Sequence, residues 1–449
     1  MRVHTFAVVI GYVLTGNVLT LSPAFASGYG LREFSASAMG AAYAGAAATG
    51  IDASYQAYNP ASISLVERSD FSATVIGIFP DSSASYPTAL TSAGTPVSGS
   101  ATASEFIDDA IIPGLSGRMR LSDKWALGVV AYAPWGLATN YPETSNVRYY
   151  ARVTKLMTLN ITPSVSYQLS PRVALAAGMQ IQYMKGTLSN NIDLGTLGAV
   201  SLIKGSIPGA QDGSARLTAD DWAAGFAVGL IAKPTDRTTI GVSYHSSIDH
   251  NLSGSLEYTL DSAGIGAIIN AATGMLANTQ ATVKLSTPDK FSMGLRAEFA
   301  PRVTVLAELE WTNWEKFREL RVVAANPAQP DDVTLANWKS TWFGAFGLEY
   351  RATDQWSYRA GLGYDESPVP DQTLTPRIPD SHRITLAVGG TFRINPATSI
   401  AFAYEHLFIA DRDVSLNPAQ AGNALRGTLA GKTQSSVDAV GIQLTHRLN

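Results

Sequence analysis

The 449-residue chain contains no cysteine. Disulfides and thiolate-bound metals are thereby excluded, and a cell-envelope location is permitted without being required. Charge is scarce as well. Only 15% of residues are charged, against about 25% in ordinary soluble domains. The net charge of −4 speaks against a nucleic-acid partner. Beyond the start of the chain, histidine is limited to His245, His250, His382, His406 and His446, and neither G-x-S-x-G nor H-E-x-x-H occurs. No cofactor is expected. A triad assembled in space leaves no local motif, so a lipid-modifying enzyme stands as an alternative, as does a structural or adhesin-like protein.

A long apolar run occurs once. Phe6 to Leu21 follows a weakly basic start at Arg2 and His4 and precedes Ala24-Phe25-Ala26, the layout of a secretory signal with a small-residue cleavage site. Residues 1–26 are therefore expected to be a signal peptide. After it, no stretch approaches the roughly 20 apolar residues of a spanning helix, although 46% of the chain is hydrophobic. Apolar content without apolar runs implies alternation. A transmembrane barrel shows lipid one face of each strand and a polar lumen the other.

Two stretches show the pattern cleanly. Val303, Val305, Ala307, Leu309 and Trp311 alternate with Arg302, Thr304, Leu306, Glu308, Glu310 and Thr312; Ile384, Leu386, Val388, Phe392 and Ile394 alternate with Arg383, Thr385, Ala387, Thr391 and Arg393. A soluble sandwich also alternates, so the connections decide. Short polar turns near 122–124, 170–172, 234–237, 300–302, 352–355 and 395–397 alternate with long connections near 81–114, 134–155, 189–215, 259–279, 321–336, 367–379 and 414–431. Six turns and seven long loops join about 14 strands with both termini on the short-turn side, as in outer-membrane barrels. Trp125 and Trp356 beside short turns, and Trp311, Trp338 and Trp342 beside long loops, suit two aromatic girdles. The reading is an all-β transmembrane antiparallel barrel over residues 69–449, multi-pass in the outer membrane of a Gram-negative bacterium.

Residues 27–68 do not fit a strand. Gly28, Gly30, Gly40, Gly45 and Gly50 stand among many alanines, and Asn59-Pro60-Ala61 follows. Small residues let backbone approach backbone, but they bury too little apolar area to offset their own ordering entropy. The segment needs a container, and it is expected to be a plug, or hatch, inside the lumen.

The stretch Gly361 to Gly390, GLGYDESPVPDQTLTPRIPDSHRITLAVGG, resembles the signature of the FadL/TodX family of outer-membrane transporters for long-chain fatty acids and hydrocarbons. Leu31-Arg32-Glu33-Phe34-Ser35-Ala36-Ser37, Ala42-Tyr43-Ala44-Gly45 and Asn59-Pro60-Ala61 are similar too, so the resemblance covers essentially the whole chain after the signal. It implies a fourteen-stranded barrel with an N-terminal hatch and a lateral opening where the third strand is kinked. The residues supply a cause for that kink. Pro134 cannot donate to a ladder and Gly136 tolerates unusual dihedrals, so pairing should fail at Pro134-Trp135-Gly136. The resemblance also places Asn59 and Pro60 against the kinked strand, where Asn59 has the capacity to bond backbone left free by Pro134.

The implied activity is uptake of hydrophobic molecules, long-chain fatty acids or related lipids, by capture outside, transfer to a lumenal pocket and sideways release. Neutral hydrocarbons are the alternative cargo. Exposed apolar patches mark interaction sites. Candidates for capture are Leu194, Leu197, Val200, Leu202 and Ile203 in one long loop, with Leu260, Ile265, Ile268, Ile269, Met275 and Leu276 in another. The same residues would also allow the two loops to pack together and close the barrel top. A fatty acid needs a cation for its carboxylate. The positions at which the fatty-acid member of the family carries its arginine and lysine are Asn190 and Thr334 here, which leaves Lys339 and Lys185 as the nearest basic candidates. Asp365, Arg377, Asp380 and Arg383 are read as a structural charge network. The partners expected are a hydrophobic small molecule and outer-membrane lipid, with the protein a monomer.

Overall fold

Period-two alternation closes into a ring. The computed structural model describes residues 28–448, so the expected signal peptide lies outside the described residues. Of the 21 strand segments among the described residues, 20 group into 14 staves, and the remaining one, Thr102–Ser104, folds back on Ser83–Ser85 of the first stave. The first four are β1 (Asp70–Leu90), β2 (Ala110–Arg120), β3 (Trp125–Tyr132, resuming at Gly136–Asn140) and β4 (Val153–Ser170). There follow β5 (Val173–Asp193), β6 (Asp212–Thr235), β7 (Thr238–His245 and Ile248–Thr259), β8 (Thr279–Thr287 and Lys290–Ala300) and β9 (Val303–Thr312 and Glu319–Ala324). The last are β10 (Asp332–Leu335 and Thr341–Arg351), β11 (Trp356–Asp365), β12 (Arg383–Arg393), β13 (Thr398–Ile409 and Arg412–Leu416) and β14 (Thr428–Arg447). The ladders between staves are antiparallel, and β1 meets β14 from Asp70 opposite Arg447 to Leu90 opposite Thr428. Closure gives backbone groups in hydrocarbon a partner, which an open sheet edge could not do.

The side-chain alternation follows the sequence. On β12, Arg383, Thr385 and Ala387 are buried while Ile384, Leu386 and Val388 face out; on β9, Thr304, Leu306 and Glu308 are buried and Leu309 faces out. Two expectations need correction. The strands run past the apolar band, so 81–90 is strand, not loop: Asp81 to Ser85 pair with Lys432 to Ser436. Polar residues hide such extensions, because hydropathy marks the membrane and not the ladder. Trp338 is no girdle residue either; it is buried in an aromatic cluster with Tyr29, Trp314 and Phe317.

Residues 28–66 are almost wholly buried, and they touch staves on opposite sides of the ring. Their structure is a chain of short turns. α1 (Ala36–Met39) is capped by the Ser35 hydroxyl, and 3-10 turns follow at Ala46–Ala48, Ala53–Ala57 and Pro60–Leu65. Arg32 donates to Glu310 of β9 at 2.9 Å and to Asp365 of β11 at 2.7 Å. The Tyr43 hydroxyl donates to Glu405 of β13 at 2.9 Å, and the Ala47 amide donates to Glu308 of β9 at 3.1 Å. Short turns cannot satisfy all of their own donors, and the inward carboxylates of the barrel accept them.

Candidate ligand-binding site

On the long-loop side, two helices face each other. α2 (Leu194–Val200) is capped by Asp193, and α3 (Ile265–Thr273) is bracketed by Gly264 and Gly274, both at positive φ. Leu194, Ile265, Ile269 and Leu276 are buried against one another, with Leu197, Ile203, Leu260 and Met275 partly buried around them. That set holds the loops together and is not open for capture, because each helix covers the other's apolar stripe. Outward-facing residues are Val200, Ile268 and Leu202, the last 92% exposed.

Beneath the loops lies a narrow cavity of about 50 Å³, lined by Leu188, Leu217, Leu256, Leu320 and Val322 with Arg377 and Asn190 at its polar end. Leu188, Leu217 and Leu320 also line a second, largely apolar cavity of about 70 Å³ that extends to Leu252, Leu285, Phe317 and Tyr29. Neither holds more than a few water-sized molecules, so an acyl chain must displace side chains to pass. The second cavity ends on rings. Tyr29 stands edge to face with Trp135 (5.8 Å), Trp314 (4.7 Å) and Phe317 (5.7 Å). Beyond that cluster, a third cavity of about 40 Å³ is lined by Phe34, Tyr58, Tyr132, Pro134, Trp135 and Lys290.

The third cavity abuts the break in β3. Tyr132 lies opposite Asn160 and Gly136 opposite Met157, so four steps on β3 span three on β4: a one-residue bulge. The freed backbone is not idle. The Leu31 amide donates to the Pro134 carbonyl at 2.9 Å, the Gly136 amide donates to the Tyr29 carbonyl at 2.8 Å, and Thr158 bonds Trp135. On the other side, β2 is left short of partners. Its ladder with β3 begins at Leu115 opposite Ala131, and above the gap only the bridge of Ile107 with Thr139 resumes contact. Ala110 to Gly114 thus pair with β1 alone. The stave is interrupted over residues 133–135 and resumes at Gly136.

Asn59 does something other than expected. Its side chain accepts from the Ala61 amide at 2.9 Å and donates to the carbonyls of Ala47 (2.7 Å) and Leu230 (3.2 Å), so it caps the Pro60–Leu65 turn and ties it to β6. The backbone at Pro134 is taken by Leu31, so Asn59 and Pro134 do not meet. The N-terminal segment touches lower β3 through Gln56 and Ile63, which fill the space over Gly128.

Neither lysine candidate faces a cavity. Lys339 is exposed ahead of the Thr341–Arg351 segment, and Lys185 is exposed on the outer parity of β5. No bulge turns either one inward. The cations that reach the family's two positions come from other loops. The Arg377 guanidinium donates to Asn190 Oδ1 at 3.0 Å, and that of Arg426 donates to Thr334 Oγ1 at 3.0 Å and to Asp332 at 2.6 Å. Burial, then the charge of Arg426, pushes Arg377 down to about 10. The expected charge network is thereby split: Arg383 pairs with Asp380, Asp365 pairs with Arg32, and Arg377 turns to the cavity. Arg377 was legible as a lone cation in the apolar, proline-bounded stretch Leu374-Thr375-Pro376-Arg377-Ile378-Pro379. Tyr29 carried no such signal, since only the folded plug puts its ring across the lumen.

On the short-turn side the N-terminal segment borders a vestibule of about 1030 Å³ lined by Arg118, Arg296, Arg302, Arg359, Glu298 and Glu349, among others.

Comparison with known proteins agrees with this architecture. The chain is 27% identical to the long-chain fatty acid transport protein of Escherichia coli K12, covering 85% of this chain and 88% of that protein. It is also 27% identical to a putative outer membrane protein of Neisseria meningitidis serogroup B, covering 97% of each. Among solved structures, a Pseudomonas aeruginosa FadL homologue superposes with a TM-score of 0.86 at 24% identity, covering 94% of this chain and 100% of that one. The Pseudomonas putida toluene transporter TodX gives 0.68 at 18% identity, with 94% and 99% covered. These identities establish a shared fold. The family model for outer membrane protein transport proteins matches residues 18–448, and the chain belongs to that OMPP1/FadL/TodX family.

Proposed function

We propose that the protein takes up hydrophobic molecules across the outer membrane, through the chain of cavities and out sideways at the break in β3. The observation that carries this reading is the one-residue bulge between Tyr132 and Gly136, abutting on its inner side a small cavity walled by Phe34, Tyr58, Tyr132 and Trp135 with Lys290 and Glu310, and beside it β2 backbone that lacks a β3 partner. Residues 27–68 act as the plug that denies the axial route. Burial of apolar surface decides between the two exits. Each methylene exposed to water costs about 0.8 kcal/mol, so a chain of about a dozen costs roughly 10 kcal/mol to bring through an arginine-lined vestibule. Release into hydrocarbon costs nothing comparable. Tyr29 and its ring partners form the barrier between the second and third cavities and must swing aside for passage.

The lipid of the membrane is then both surroundings and destination. Closure pairs β1 with β14 and leaves neither terminal stave an edge to offer a second copy, so one chain is the unit of function in this reading. Deleting the gene and restoring it tests the reading, with growth on a long-chain fatty acid and on toluene as sole carbon source. Loss of growth on at least one of them, rescued by the restored gene, is the expected result. Unchanged growth and unchanged uptake of both labelled compounds would sink it.

A further inference from the structure

We propose that Arg377 selects for cargo with an acidic head group, supplying from the β11–β12 loop the charge absent at positions 190 and 334. The inference rests on the uptake reading above and deepens it. Arg377 is buried, and the partners of its guanidinium are uncharged: Asn190 Oδ1 at 3.0 Å, Thr154 Oγ1 at 3.4 Å and the Ser189 carbonyl at 3.4 Å. A buried guanidinium held only by neutral acceptors is costly, and it is eased by a carboxylate in fork geometry. The charges facing the cavity point the same way. Asp332, the one carboxylate on that wall, is already bound at 2.6 Å by Arg426 from outside the lining, so the two arginines share a single acid and one positive charge stays in excess. Lys155, in the apolar cavity below, is paired with Asp108 at 2.7 Å. The remaining ionisable group on the wall is Tyr258 of β7. From Arg377 the walls become apolar without interruption through Leu188, Leu217 and Leu252. A head group at Arg377 therefore sets its chain along the path to Tyr29. The backbone of Arg377 is fixed as well, since its carbonyl accepts from Thr139 of upper β3 at 3.2 Å. Such anchoring aims the side chain in advance and limits the entropy lost on binding.

The test compares hexadecanoic acid with hexadecanol, equal in chain length, for binding to the purified full-length barrel in nanodiscs at pH 8. The wild type should prefer the acid by about tenfold or more, the range expected for a hydrogen bond to a charged group. In Arg377→Gln the acid-to-alcohol ratio should fall close to one. Asn190→Asp keeps the arginine but gives it an internal carboxylate, and it should abolish the preference just as fully. That second variant pairs a buried charge, so it remains informative where Arg377→Gln folds poorly. Arg377→Lys should retain part of the preference, since a point charge replaces a fork. A ratio unchanged in both Arg377→Gln and Asn190→Asp overturns the assignment, as does a wild type that binds both compounds equally. A wild type that binds neither overturns the uptake reading itself.

Discussion

Gly241 has no side chain on the inner face of β7, and the Ala47 carbonyl occupies the space: a Cβ there would lie 1.8 Å from that oxygen. The same holds at Gly361 of β11, where a Cβ would lie 2.1 Å from the Ala41 carbonyl. Backbone on backbone cannot give way as a flexible side chain can, so Gly241→Ala should push the plug from its seat while leaving the strand register intact. Limited proteolysis within residues 28–66 should become fast, with the barrel band unchanged on unboiled gels. Asn59→Ala should act more gently. It removes a cap and the donor to two buried carbonyls, worth about 1–2 kcal/mol, and hydrogen exchange at residues 60–65 should rise with no change elsewhere. Equal exchange in both proteins would show that Asn59 is not holding the turn.

At the scale of the element, β3 is the stave whose sequence breaks its own ladder. A proline and one surplus residue are its defects, and both are correctable. Deleting Ala133 and replacing Pro134 by Thr restores equal spacing against Asn160 to Met157 and returns a donor. Uptake of labelled hydrophobic cargo should then fall to the level of the gene deletion, while the amount of folded barrel stays constant. Uptake that persists would mean that cargo leaves elsewhere. The break itself was legible in Pro134-Trp135-Gly136, because proline acts locally. Its occupants were not. Leu31 and Tyr29 reach it across about a hundred residues of sequence, and no local pattern encodes a contact of that range.

For the whole molecule, the plug and barrel complete each other: a glycine- and alanine-rich segment fills a ring whose inward carboxylates Glu308, Glu310 and Glu405 accept its donors or balance its arginine. In planar bilayers the full chain should conduct ions poorly, and a barrel lacking residues 28–66 should show much larger single-channel steps. Similar conductance for the two would mean that the segment does not seal the lumen. The sequence by itself determined the class of fold, since two-residue periodicity, scarce charge and alternating turn lengths are properties of each stretch taken alone. It also set the glycine- and alanine-rich start apart from the strands. Only the tertiary structure decided which cation lines the cavity, because Lys185 and Lys339 lie outside it while Arg377 is brought there by a loop folding back over the barrel mouth. Strand parity is a local rule, whereas the direction in which a loop returns depends on everything it packs against.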